Sequence, residues 1–339
     1  MTFLAPRRIL RFMLATAAIA TLIIAAAAVL LICFGSTWFI TPKRRALESR
    51  HHELLANPAD FGLRIEALSV TMKDGVVLET ILATRAPNPG RAEKTRRMSS
   101  RLERGGITPS PAPRGTIILL HGRGGRKEDM LSIAQRFVAA DYRCIVYDAR
   151  AHGKSQGRFC TFGVHEVIDL TSVLDYYSQH FETEGSTLGP VGAFGNSLGA
   201  SIVLQSLTSE SRIIAAVAVA PFAELPDIVV SSGRRKIHPQ IPAWVIHSAM
   251  KLGGLRAGFD PFSIAPIQHT AQSATPIFLT HGTLDEVIPI DHSRRLAKAT
   301  SASTMTWREI HSGYHYNILA EGGDDLYEEM IHFFLTHTG

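Results

Sequence analysis

From Thr116 onward, short and continuously apolar runs alternate with longer amphipathic ones: TIILL, KEDMLSIAQRFVAA, RCIVY, GVHEVIDLTSVLDYYSQHF, PVGAF, LGASIVLQSL, RIIAAVAV. A strand apolar on every residue has to be buried on both faces, and helices between such strands supply the cover, so the pattern predicts a mostly parallel, doubly wound α/β sheet. TPIFLT and TMTWREI add two strands before a last helix at 324–336. Upstream, RIEALSVTMKDGVVLETILAT alternates apolar and polar residues around Asp74-Gly75, the signal for an antiparallel hairpin. The sheet then has about eight strands. At 339 residues and 45% hydrophobic content the chain can bury such a core.

The first 45 residues follow another rule. The run from Phe12 to Pro42 carries no charge, and about 20 apolar residues suffice to cross a bilayer. A cleaved signal peptide has a shorter apolar region, about 7 to 15 residues, ending in a small-x-small site. Here the run ends in the bulky STWFI, and Ile32 before Cys33 fits a lipoprotein signal poorly. One uncleaved, single-pass membrane anchor over residues 1–45 is expected, its transmembrane helix at about 12–34, ahead of one domain over 46–339. Arg7, Arg8 and Arg11 on one flank balance Lys43, Arg44 and Arg45 on the other, so the basic residues nearly tie on orientation. The expected arrangement is N-terminus inside, with the C-terminal bulk of the chain exported.

The net charge of +5 raises the question of a nucleic-acid partner, and its distribution answers it. Residues 1–45 and residues 85–114 each carry +6, which leaves −7 on the remainder. The basic charge flanks the anchor and fills a segment rich in Pro, Gly, Ser and Arg, so no nucleic-acid partner is expected. Residues 85–114 have few large apolar groups and are expected to form a flexible surface loop. The three cysteines form no disulfide framework, and Cys160 is the one expected to be accessible.

In a doubly wound sheet, ligands gather at the carboxyl ends of the strands, which directs attention to the residues just after each apolar run. After PVGAF comes Gly195-Asn196-Ser197-Leu198-Gly199, a G-x-S-x-G between strand and helix. By itself the motif also describes an ordinary tight turn. After TIILL comes His121-Gly122-Arg123-Gly124-Gly125, which lacks the Gly-Lys-Ser/Thr of a phosphate-binding loop. After TPIFLT, HGTLDEVIP places Asp285 in a loop 88 residues beyond Ser197, and Gly313-Tyr314-His315 follows TMTWREI. His311 is a rival to His315 as base. The two could be a metal-binding pair on a helix, but Gly313 between them argues against that helix, and no metal or cofactor is expected.

Together with YDARAHGKSQG at 147–157, these motifs resemble the α/β-hydrolase superfamily over about residues 64–338, and within it the serine aminopeptidase-like and acyl-hydrolase branch. The order Ser, Asp, His is that of the superfamily. The resemblance implies Ser197 as nucleophile, His315 as its base and Asp285 as the group orienting His315. It also implies an oxyanion hole made by the backbone N–H groups of Arg123 and Leu198. Asp148, Arg150 and His152 would brace the neighbouring loops. The basic insertion at 85–114 and Asn196 inside the elbow depart from the pattern.

The function so implied is a membrane-anchored serine hydrolase that cleaves a small-molecule carboxylic ester or thioester through an acyl-enzyme. A serine aminopeptidase of the same fold is a rival, though no propeller fits in the first 115 residues and Ala200 follows Gly199 where oligopeptidases often carry a further glycine. A non-catalytic binding protein on this scaffold is a third reading, since fold alone does not guarantee chemistry. Substrate choice would lie in a helical cap at about 223–262. Either WVIHSAM, Leu252, Leu255 and Phe259 line an acyl pocket and Arg234, Arg235 and Lys236 meet an anionic headgroup, or the segment is a packing cap with a solvated basic edge.

Overall fold

The computed structural model describes residues 6–87, 92–300 and 305–338. Eight strands, β1 (Leu63–Thr71), β2 (Val77–Arg85), β3 (Thr116–Leu120), β4 (Arg143–Tyr147), β5 (Val191–Asn196), β6 (Ile213–Val219), β7 (Ile277–Gly282) and β8 (Met305–Ile310), form one sheet. Their spatial order is 1-2-4-3-5-6-7-8. β1 and β2 are the antiparallel hairpin, β2 runs antiparallel to β4, and every other neighbour is parallel.

Helices α1 (Pro6–Ile40) and α2 (Ser49–Ala56) precede the sheet, and α3 (Glu93–Arg104) follows the hairpin. α4 (Lys127–Ala139), α5 (Val164–Thr183) and α6 (Leu198–Ser206) follow β3, β4 and β5 in turn. Between β6 and β7 lie α7 (Leu225–Lys236), α8 (Ala243–Ala257) and α9 (Pro266–Gln272). α10 (Asp291–Ala299) follows β7, and α11 (Ile318–Thr338) follows β8.

Side chains alternate across a strand, so the apolar runs divide between two cores. Ile118, Leu120, Ile145 and Ala193 enter one, with Leu170 and Leu174 of α5 and Ile202 of α6. Ile117, Leu119, Val146 and Phe194 enter the other, with Leu131 and Phe137 of α4 and Ile331 and Phe334 of α11. This is the doubly wound sheet that the apolar runs predict. Parallel register sets Leu120 beside Gly195, so the loops after β3 and β5 leave the same edge side by side.

Three expectations need correction. The basic segment 85–114 is not a flexible loop over its length: α3 occupies its middle, with Thr95, Met98 and Leu102 buried on one face. Its arginines are paired with α11, Arg97 to Asp324 at 2.9 Å and Arg101 to Glu328 at 2.8 Å. Residues 88–91 of that segment lie outside the described residues. Cys160 is buried, and its N–H donates to the Ile40 carbonyl. Finally, the apolar N-terminal helix does not end outside the domain. α1 runs without interruption from Pro6 to Ile40, long and apolar enough in its exposed part to cross a bilayer, yet Phe39 and Ile40 belong to the domain's core.

Candidate active site

Gly195 and Gly199 are required by close approach. A Cβ on Gly195 would stand 2.4 Å from the Ala200 nitrogen, and one on Gly199 would stand 2.3 Å from the Leu120 carbonyl oxygen. β5 can therefore turn into α6 within one residue, and that residue is Ser197, at φ 55° and ψ −117°. A serine in this conformation is strained, and the turn lifts its hydroxyl clear of the sheet edge.

Across the edge, the His315 ring stands 3.0 Å from Ser197 Oγ through Nε2 and 2.7 Å from Asp285 Oδ2 through Nδ1. The ring nitrogens thus have separate duties: Nδ1–H donates to the carboxylate, which leaves Nε2 free to accept the hydroxyl proton. Asp285 Oδ1 accepts from the N–H groups of Val287 at 2.8 Å and Ile288 at 2.9 Å. Burial alone would raise this carboxyl's pKa, but hydrogen bonds from His281 and His315 and from the Ile288 N–H hold it well below the usual carboxylate range. Its anionic form is therefore strongly favoured. His311 is exposed at the end of β8 and has no part in this row.

The loop after β3 lies directly against the serine, since a Cβ on Gly122 would stand 3.2 Å from that of Ser197. Among the described residues, neither the Arg123 N–H nor the Leu198 N–H donates to a loop or side-chain acceptor. The loop's shape is fixed from behind by His121, whose Nε2 accepts from the Ala149 N–H at 3.1 Å while Nδ1–H donates to the Gly122 carbonyl at 2.8 Å. Burial pushes the His121 pKa down, which keeps the neutral tautomer that both bonds need. The β4 loop is braced as well. Asp148 accepts from the Lys127 N–H and Nζ, and Arg150 forks onto Asp169 at 2.7 and 2.6 Å.

A family model described as "Serine aminopeptidase, S33" matches residues 111–255. The esterase Pf2001 of Pyrococcus furiosus superposes with a TM-score of 0.65 at 18% identity, covering 88% of this chain and all of that one. The chain has the α/β-hydrolase fold. Two curated proteins are similar to this chain. An uncharacterized protein of Bacillus subtilis, YqkD, is 25% identical over 193 residues, 56% of this chain and 61% of that protein, so the match spans less than two thirds of its length. The monoacylglycerol lipase of Mycolicibacterium smegmatis is 25% identical over 246 residues, 63% of this chain and 85% of that one.

In this fold the serine faces a cleft of about 540 Å³. Its apolar wall is Trp38, Phe39, Phe162, Leu225, Ile228 and Val229. The cap residues singled out in the sequence are distributed differently. Among the residues lining the cleft, neither WVIHSAM, Leu252, Leu255 nor Phe259 appears; Val245, Ile246 and Met250 are core, and Leu255 points to solvent. Of the three basic residues only Lys236 reaches the cleft. Arg234 and Arg235 line a separate groove, and Arg235 donates to the Glu286 carbonyl.

Two contributors are invisible to motif reading. His281 donates from Nε2 to the Ile288 carbonyl at 2.8 Å and stands 3.1 Å from Asp285 Oδ2, so it holds the acid loop from beneath. Its place in the His-Gly dipeptide at the end of β7 is a signal only once β7 is known to lie beside the acid. The other contributor is the last turn of α1, which reads in sequence as the end of an apolar run.

Proposed function

We propose that the chain is a serine hydrolase that cleaves carboxylic esters or thioesters through an acyl-enzyme on Ser197, held at a membrane by α1. The observation that carries this reading is the hydrogen-bonded row Ser197, His315, Asp285 at the mouth of an apolar cleft. His315 Nε2 takes the hydroxyl proton as Ser197 Oγ bonds to the acyl carbon. The negative charge that develops on the carbonyl oxygen meets the N–H groups of Arg123 and Leu198, and the alkoxide or thiolate leaves with the proton from His315. Water then repeats the sequence on the acyl-enzyme and frees the acid. Asp285 stays ionised throughout and stabilises the imidazolium.

The esterase and monoacylglycerol lipase among the relatives favour an ester substrate. The serine aminopeptidase description of the family favours a peptide with a free N-terminus. The charge of the cleft supports the ester reading. An α-ammonium needs a carboxylate, and the one acid among the described residues lining this cleft, Asp129, is already engaged by Arg45 at 3.0 Å and His51 at 3.0 Å. Arg123 and Lys236 add positive charge, so an aminopeptidase substrate is disfavoured.

As to the anchor, the apolar run of α1 passes straight into the docked turn Ser36 to Ile40, with no extended small-residue stretch for a signal peptidase. The test is turnover of acyl esters of graded chain length by wild type and Ser197→Ala. Loss of the serine is expected to lower kcat by about 10⁴-fold or more on every ester hydrolysed. Turnover by Ser197→Ala equal to wild type contradicts the reading.

A further inference from the structure

The cleft is not closed by the hydrolase domain alone, because one of its walls is the end of α1. Trp38 and Phe39 line it, and Phe39 stacks on Phe162, also a lining residue, with centroids 4.8 Å apart and planes at 14°. The turn is fixed from several sides. Arg256 Nη1 donates to Ser36 Oγ at 2.9 Å and Thr37 Oγ1 at 2.8 Å, and the Cys160 N–H donates to the Ile40 carbonyl at 2.8 Å. Gly253 of α8 leaves room for the approach: a Cβ there would stand 2.9 Å from the Phe39 ring.

Arg123 ties this turn to the reacting centre. Its Nη2 donates to the carbonyls of Trp38 at 2.5 Å and Phe39 at 3.1 Å, groups that the helix end leaves without intrahelical partners. The same residue carries one of the two N–H groups assigned to the oxyanion. Its guanidinium lies 4.9 Å from the Trp38 ring centroid, and the Lys236 ammonium lies 4.8 Å from it. One turn earlier, Phe34 is fully presented outward at 74% exposure, as are Leu30 and Leu22. At 1.5 Å per residue, Phe34 and Trp38 are about 6 Å apart along the axis. A bilayer that holds the exposed part of α1 therefore ends at the cleft, and Trp38, at 43% exposure, sits at the level where amphipathic rings favour the interface.

We propose that the last turn of α1 is part of the substrate site. Trp38 and Phe39 are specificity-determining residues for an amphiphilic long-chain ester drawn from the lipid itself. Its hydrocarbon passes from the bilayer along α1 and over the Trp38 and Phe39 rings, so that the carbonyl reaches Ser197 without the chain crossing water. The inference rests on Ser197 as nucleophile and α1 as anchor. It makes the helix a component of the site and not merely a tether.

The test uses the full chain in phosphatidylcholine vesicles, with p-nitrophenyl palmitate in the bilayer and p-nitrophenyl butyrate in water. The quantity read is the ratio of kcat/KM for the two esters, together with the rate at which a fluorophosphonate labels Ser197. Trp38→Ala is expected to lower the palmitate-to-butyrate ratio about tenfold, what losing contact with roughly two methylenes is worth, through KM more than kcat. Trp38→Phe, which keeps a ring in place, is expected to recover most of it. Trp38→Leu puts the same question if the alanine variant does not fold. An unchanged ratio, or equal losses on both esters with equally slowed labelling, overturns the proposal. A wild-type protein that neither turns over ester nor takes the label overturns the hydrolase reading, and this inference with it.

Discussion

At the scale of single residues, the site depends on conformations and protonation states that the surroundings impose. Ser197 occupies a left-handed conformation because two glycines let a strand and a helix close on it. Asp285 remains ionised because His281, His315 and backbone N–H groups outweigh its burial. Ser197, Asp285 and His315 are legible in the sequence because each stands just past an apolar run, where the fold collects functional groups. His281 is not, since its role follows from where β7 lies and no spacing encodes that. Lys236 is a third kind of case. Of the basic triplet it alone lines the cleft; burial lowers its pKa, the Arg235 and Arg123 charges add to the effect, and no carboxylate pairs with it among the described residues. An anionic group on the substrate would relieve that. Lys236→Gln is accordingly expected to lower kcat/KM for an anionic ester about tenfold relative to its neutral analogue, the worth of one charge-assisted hydrogen bond. Arg234→Gln and Arg235→Gln should leave the ratio near that of wild type. Steady-state kinetics on the matched pair of esters measures both.

At the scale of elements, α3 illustrates where composition misleads. A helix of EKTRRMSSRLER reads as solvated because most of its residues are polar, but Thr95, Met98 and Leu102 fall on one face and that face is buried. The arginines are offset by Asp324, Asp325 and Glu328 on α11, more than 220 residues away in sequence, and a local reading cannot see them. Met98 has no solvent exposure, so truncating it leaves a cavity between α3 and its neighbours. Met98→Ala is expected to cost about 2 to 5 kcal/mol of stability, measured by urea unfolding followed by circular dichroism. A loss below the range of ordinary surface substitutions, about 0.5 kcal/mol, would mean that α3 is not packed as described. The end of α1 is a similar case. Phe39 and Ile40 look like the last residues of an apolar run, and only the tertiary contacts with Phe162, Gly253 and Cys160 distinguish them from the exposed residues before them.

At the scale of the whole molecule, the doubly wound sheet brings residues from the loops after β3, β5, β7 and β8 to one edge, and the end of the apolar N-terminal helix packs at that edge. The alternation of apolar runs is sufficient to read the sheet, because a strand buried on both faces has few other architectures open to it. What the alternation does not encode is the meeting of the N-terminal helix with the cleft. The central claim remains that Ser197 is the nucleophile. Labelling of the folded, full-length protein by a fluorophosphonate, followed by peptide mass spectrometry, tests it most directly. The account predicts one adduct, on Ser197, abolished by Ser197→Ala and strongly slowed when His315→Ala removes the base. No adduct on folded protein, or an adduct on another serine that survives Ser197→Ala, would contradict it.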